Sequence, residues 1–213
     1  MTLMRNLKKI LYLVLAISVS SANAGSFEDF FIAIRNDNTG VLGALLKRGF
    51  DPNTADEQGQ PALTMAIKES SPKATKLLLE QPGVHIDALN QAGESALMMA
   101  ALKGDMAGAK MLLERGAKVN ESGWSPLHYA ATGPEPELVR LLLERGADVD
   151  AVSPNGSTPL MMAAQYGSED SVKLLLERGA DPNRRNQRDL RASDFAKLAG
   201  RDDLVARLRK LQR

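Results

Sequence analysis

Lys76-Leu77-Leu78-Leu79-Glu80, Lys110-Met111-Leu112-Leu113-Glu114, Arg140-Leu141-Leu142-Leu143-Glu144 and Lys173-Leu174-Leu175-Leu176-Glu177 are four versions of one pentapeptide. Their closing glutamates lie 34, 30 and 33 residues apart. A second phrase precedes each: Ala62-Leu63-Thr64-Met65-Ala66, Ala96-Leu97-Met98-Met99-Ala100, Pro126-Leu127-His128-Tyr129-Ala130 and Pro159-Leu160-Met161-Met162-Ala163. Two phrases in fixed order at one period mean supersecondary units that stack and bury one another's apolar faces. The 213 residues therefore predict one continuous solenoid rather than a globular core. Aromatic residues make up only 4% of the chain, so aliphatic and small side chains must fill that core.

Residues 153–186 show how one unit is written. Pro154-Asn155-Gly156 signals a tight turn, with Asn-Gly suited to positive φ at a hairpin tip. Thr158 offers a helix N-cap and Pro159 the first helical position. Leu160, Ala163 and Ala164 share one helical face. Tyr166-Gly167 closes the helix, with Gly167 expected in the left-handed conformation. A second helix is predicted from about Ser168 to Arg178, with Glu169 and Asp170 at the positive end of its dipole. Val172, Leu175 and Leu176 form its expected buried stripe, and Gly179 ends it.

Ser125-Pro126-Leu127-His128-Tyr129-Ala130-Ala131 and Leu141-Leu142-Leu143-Glu144-Arg145-Gly146-Ala147-Asp148-Val149-Asp150 resemble the ankyrin repeat in wording and spacing. The resemblance covers essentially all of residues 25–213. It implies an all-α solenoid of about six helix-turn-helix units joined by β-hairpin-like loops. The expected units are residues 25–55 as N-terminal cap, 56–89, 90–119, 120–152, 153–186 and 187–213 as C-terminal cap. Both caps place polar residues where inner units have leucine or alanine, as a wet outer face requires.

Residues 1–24 stand apart from the repeats. Arg5, Lys8 and Lys9 precede an apolar run from Ile10 to Val19, then Ala22-Asn23-Ala24. Basic start, short apolar middle and small-x-small end describe a secretory signal peptide, with cleavage expected after Ala24. The run is shorter than the ~20 residues a spanning helix needs, which disfavours an uncleaved anchor. The expected product is a periplasmic or secreted chain, with no stable membrane insertion after cleavage. Its lack of cysteine excludes disulfides and thiolate metal sites.

Charge is uneven along the chain. Residues 25–180 hold 14 cations and 21 anions, and residues 181–213 hold ten cations and five anions. An acidic body with a basic end is not the basic stripe of a nucleic-acid binder. No nucleophile–base pair, phosphate loop or metal cluster rises above the repeat background, so neither an enzyme nor a cofactor is expected. His128, with Ser125 beside it, reads as a local structural bond at a helix start. Met65, Met99 and Met162 read as gap-fillers between stacked helices. Met98 and Met161 stand where the family has histidine, which predicts looser helix starts. The basic stretch Arg184-Arg185-Asn186-Gln187-Arg188 reads as a solvated cap turn.

One departure from regularity stands out. Gly49 to Gly59, Gly83 to Gly93 and Gly146 to Gly156 each span ten residues across a hairpin, whereas Gly116 to Gly123 spans seven. Three residues are missing from the fourth hairpin, next to Trp124, the only tryptophan. A notch with Trp124 near its floor is one expectation, and Trp124 folded over its own turn is the other.

The resemblance implies a protein partner held along a concave face of hairpin tips and first helices, by a chain expected to be monomeric. By position, the candidate contacts in the first two units are Arg35, Asn36, Glu57, Gln58, Gln60, Lys68 and Glu69. The third unit contributes Gln91, Glu94, Leu102 and Lys103, and the fourth Trp124 and Thr132. The last two contribute Asn155, Ser157, Gln165, Tyr166, Arg188 and Leu190. The function this implies is an exported adaptor or protective partner; the alternative is a released factor acting on host or competitor proteins.

Overall fold

The computed structural model describes residues 25–212, so the expected signal peptide lies outside the described residues. Helical residues 25–35 (α1) and α2 (Thr39–Lys47) make the first pair. Four pairs follow: α3 (Ala62–Lys68) with α4 (Pro72–Leu79), α5 (Ala96–Lys103) with α6 (Met106–Glu114), α7 (Pro126–Thr132) with α8 (Pro136–Glu144), and α9 (Pro159–Gln165) with α10 (Glu169–Glu177). The last pair is α11 (Ala192–Leu198) with α12 (Asp202–Leu211). First helices α3, α5, α7, α9 and α11 pack in series, and second helices α2 to α10 form a parallel series behind them. The all-α solenoid expected from the repeats is the observed fold.

The repeated phrases explain the packing. Leu42, Leu78, Leu112, Leu142, Leu175 and Leu208, one per second helix, are all fully buried. Opposite them, Ala62, Ala66, Ala96, Ala100, Ala130, Ala163 and Ala196 of the first helices are equally inaccessible. Small residues on one helix and leucine on the other let thin layers close at interior density. In α10, Leu174 is more deeply buried than the expected Leu176. Met65, Met99 and Met162 are buried between layers as gap-fillers. At the N-terminal end Phe30 stacks on Phe50 at 4.4 Å and meets Phe31 edge-on, closing the core with aromatic rings.

Four of the first helices, α3, α5, α9 and α11, start from a finger with a shared register. Asp56, Asn90, Ser153 and Asn186 donate their N–H to the carbonyls of Gln60, Glu94, Ser157 and Leu190, all at 3.0 Å. The N–H groups of Gly59, Gly93, Gly156 and Asp189 return to Asp56, Asn90, Ser153 and Asn186 at 2.8–2.9 Å. These fourth positions take φ of +71, +77, +80 and +61°. Asn155 does not have positive φ; the Asn-Gly turn uses only its glycine, at the bulge after the tip. The fourth finger shows none of this paired bonding among the described residues.

A rail of side chains ties each finger's base to the next unit. Asn53 accepts the His85 N–H and donates to the Gly83 carbonyl. Asp87 accepts from Lys118, Asn120 from Asp148, and Asp150 from Asp181. Asn120 also donates to the Gly146 carbonyl at 2.9 Å. The three missing residues lie beyond Asn120, so the fourth unit keeps its place in this rail.

Cations close several helix C-termini, where the dipole is negative. Lys103 Nζ donates to the carbonyls of Ile67 and Lys68 and to Ser70 Oγ, and Arg115 donates to the Leu79 carbonyl. Arg201 donates to the carbonyls of Ala163, Ala164 and Gly167 at 2.9–3.1 Å, tying the last pair to α9. Replacing Arg201 by Met removes charge-assisted bonds and should cost about 1.5 kcal/mol. Hydrogen exchange should show α11 and α12 opening before the rest of the stack.

Candidate protein-binding face

Helix starts supply the first element of the site. Four first helices follow one capping scheme in which the third helical residue reaches back to the N-cap N–H. Its acceptor changes along the chain: Met98 Sδ takes the Ser95 N–H at 3.4 Å, and Met161 Sδ the Thr158 N–H at 3.4 Å. In the last unit Asp194 takes the Arg191 N–H at 2.9 Å. In the fourth, His128 Nδ1 accepts from the Ser125 N–H at 3.1 Å and lies 2.9 Å from Ser125 Oγ. The two helix starts where methionine replaces histidine are therefore not left unbonded, since sulfur retains that bond; α3, with Pro61 as its N-cap, has no side-chain cap bond.

Only the imidazole also reaches forward. His128 Nε2 lies 3.0 Å from the Ser157 carbonyl of the next unit. A carbonyl can only accept, so Nε2 carries the proton and Nδ1 is the acceptor. The ring is buried, and desolvation pushes its pKa below the usual histidine value despite the opposing backbone bonds.

Trp124 packs edge-on to this ring, with centroids 5.2 Å apart and planes at 78°. It stands where Gln60, Glu94, Ser157 and Leu190 stand in the other fingers, immediately or directly before the helix N-cap. With no paired fingertip above it, Trp124 is half-buried and walls a cavity of about 220 Å³. Leu102 from α5, Tyr129 and Thr132 from α7, and Met162 and Tyr166 from the α9 region complete the walls, with His128 also lining it. The two expectations for Trp124 meet here: it covers its own turn and also faces a notch.

Three of the polar side chains in this lining are bonded within the protein. His128 uses both nitrogens, Thr132 Oγ1 donates to the His128 carbonyl at 2.9 Å, and Tyr129 OH donates to Glu94 Oε1 at 3.1 Å. Burial, then the Glu94 charge and hydrogen bond, push the Tyr129 phenol up to about 12. Asn90 Nδ2 bridges Glu94 Oε2 at 2.9 Å and Gln60 Oε1 at 3.3 Å, extending a polar lane toward the second unit.

The structure brings Leu102, Trp124, Thr132 and Tyr166 together at one cavity. Glu57 and Gln58, exposed at the second fingertip, border a separate cavity of about 500 Å³ with Arg35 and Phe31. Lys68, Glu69, Gln91, Asn155 and Arg188 are exposed, Gln165 and Leu190 half-exposed. Lys103 is exposed, but its ammonium is engaged with α3. Gln60 and Glu94 are half-buried in the polar lane.

Ser157 is a correction. It is fully buried, its N–H donates to Ser153 Oγ and Asn155 Oδ1, and its carbonyl faces His128, so it belongs to the framework and not to a contact face. Gly167 is another: it is not left-handed, and a Cβ there would lie 2.1 Å from the Ala131 carbonyl oxygen. Its lack of a side chain permits close approach of two helices.

Tyr129, Met162 and His128 were not among the sequence candidates as contacts, because their positions fill the core in other units. The signal for them is Tyr129 interrupting the methionine series beside a shortened finger. Among the described residues, no three His, Cys, Asp or Glu side chains gather as a metal ion would require, and no helix is long and apolar enough to cross a membrane.

The family profile described as "Ankyrin repeats (3 copies)" matches residues 30–122 and 118–186. The chain is an ankyrin-repeat protein. This ankyrin-repeat protein is 33% identical over 96 residues to an ankyrin repeat-containing protein of Treponema pallidum (strain Nichols), covering 44% of this chain and 32% of the relative. It is also 33% identical over 96 residues to the ankyrin repeat domain-containing protein SAT10 of Stachybotrys chartarum, covering 45% of this chain and 5% of that one. The matches thus span a third or less of the length of these curated relatives. Among solved structures it resembles a chain of the complex described as "Bd0816 Predatory Endopeptidase from Bdellovibrio bacteriovorus in complex with immunity protein Bd3460". That likeness has a TM-score of 0.74 at 25% identity and covers 85% of this chain and 97% of the other. Ankyrin repeats are protein-interaction modules, and the coarse function of the chain follows from its family.

Proposed function

We propose that this ankyrin-repeat protein is an exported binding partner that holds another exported protein through its concave face and restrains it, as an immunity protein would. The observation that carries the reading is the apolar cavity between Leu102, Trp124 and Tyr166, on the face where fingers and first helices meet. An aromatic-lined recess among polar residues suits a protein anchor. The likeness to a chain from an endopeptidase–immunity protein complex supports restraint of an exported enzyme, an endopeptidase-class protein being the first to test. Export rests on the basic-apolar-small pattern of residues 1–24, read as a signal cleaved after Ala24 and placing the chain in the periplasm. In this reading the chain needs no cofactor, nucleic acid or reaction of its own.

The test is crosslinking in living cells from a photoreactive residue at position 166, whose native Tyr166 side chain is 61% exposed. One dominant exported protein should be captured, and the purified chain should lower that protein's activity at stoichiometric amounts. Capture of cytosolic proteins only, or of none, overturns the proposal.

A further inference from the structure

We infer that the cavity under the shortened fourth finger receives a single bulky apolar side chain from a cationic loop of the protein partner, an aromatic or leucine-sized residue flanked by lysine or arginine. The inference rests on the protein-binding reading and names the segment recognised. Three observations carry it.

The first is size: about 220 Å³ is below the ~300–1,000 Å³ of small-molecule sites and fits one large side chain. The second is chemistry. His128, Tyr129 and Thr132 all place their polar atoms on intramolecular partners, so they offer an incoming group mostly ring and methyl surface. A polar or charged tip entering there would lose its water for few partners, the Trp124 indole N–H and the Tyr166 hydroxyl among the lining groups.

The third is charge. Residues 51–60, 84–94, 117–124 and 147–157, which form the second to fifth fingers, hold eight Asp or Glu and one Lys. Glu57 is exposed at a tip, and Glu94 sits beside the cavity, bonded to its Tyr129. Lys103, the cation beside Leu102 on α5, turns its ammonium to three acceptors at the end of α3. A loop crossing these fingers meets a negative field before its side chain reaches the recess, which selects cationic flanks and speeds their encounter.

The sole tryptophan of the chain lines the cavity, so its emission reports occupancy without a label. A displayed library of disulfide-closed random peptides is selected on the protein, and enriched peptides are titrated against Trp124 fluorescence. Enriched loops should share an aromatic or leucine residue beside lysine or arginine, and should shift the emission. Tyr166→Ser, at an exposed wall, should weaken them about tenfold while leaving the melting temperature unchanged. Glu57→Lys should weaken them several-fold, and added salt should erase that difference. Enriched loops that are acidic, that lack an apolar residue, or that bind without changing the emission overturn the inference. If such loops bind as described but crosslinking captures no exported protein, the proposed function fails and the cavity assignment stands. If an exported partner is captured whose binding ignores Tyr166→Ser and Glu57→Lys, the cavity assignment fails alone.

Discussion

Gly167→Ala should destabilise the protein by about 3 kcal/mol, a large loss for the addition of one methyl group. An alanine Cβ at this position would lie 2.1 Å from the Ala131 carbonyl oxygen, 2.9 Å from Ala163 Cα and 3.2 Å from the Ala163 carbonyl oxygen. All three neighbours are backbone, so relief requires α9 to move away from α7 at Ala131 and the turn after α9 to shift away from Ala163. That movement would also disturb the Gly167 carbonyl that accepts from Arg201. Gly179→Ala in the same unit provides the contrast. Gly179 has φ +92° and nothing within 4 Å of its Cβ, so the cost there is only the left-handed backbone, about 1 kcal/mol. Urea unfolding of both variants separates the two causes, because only Gly167→Ala should also lower protection of the amides at the α7–α9 contact. Equal losses in the two variants would mean that close approach is not what selects glycine at 167.

The second large effect is expected at His128. Replacing it by Leu leaves the buried Ser125 N–H without its partner and the Ser157 carbonyl with only the Ser153 N–H, and should cost about 2 kcal/mol. His128→Met should cost only about 1 kcal/mol, because a sulfur at this position bonds the N-cap N–H in the neighbouring units. Burial lowers the folded pKa of His128 below its ordinary 6.5. The unfolded chain therefore takes up the proton first as pH falls. Stability contributed by the neutral ring is complete above pH ~6.5 and is lost progressively as pH falls toward the lower folded value. Protonation would also put a donor on Nδ1 against the Ser125 N–H. Thermal melts from pH 7.5 to 5.5 should show this decline in the native protein and a flatter profile in His128→Met. A decline of the same size in both would remove His128 as its source.

Much of this architecture is legible in the chain because its causes are local and repeated. The buried leucine series and the facing alanines follow from period alone, and Thr158-Pro159 announces a helix start from two residues. Ser168 begins α10 as its N-cap, accepting from the Ser171 N–H at 3.0 Å. What was not legible depends on contacts between units. Ser157 shares a register with Trp124, Gln60 and Glu94, yet its short side chain is covered by Asn186 from the next finger. Gly167 reads as a helix terminator until the carbonyl of a helix one unit earlier is seen beside it. The recess itself lies beside an omission in one finger, where a half-buried Tyr129 and the edge of Met162 form its wall at positions that elsewhere are only filling. No pattern within a unit records what its neighbour leaves uncovered.

The asparagine and aspartate rail carries a consequence for how this protein can vary. Each link grips the following unit from below the turn, so the hold between units does not depend on the tips alone. Apart from the fifth and sixth, which Gln187 ties together at Asn155 and Pro154, tips can be trimmed, extended or exchanged like tool heads on a fixed handle. The fourth unit already demonstrates the trimmed case, and its blunt tip leaves Trp124 facing a hollow without loosening the grip beneath it.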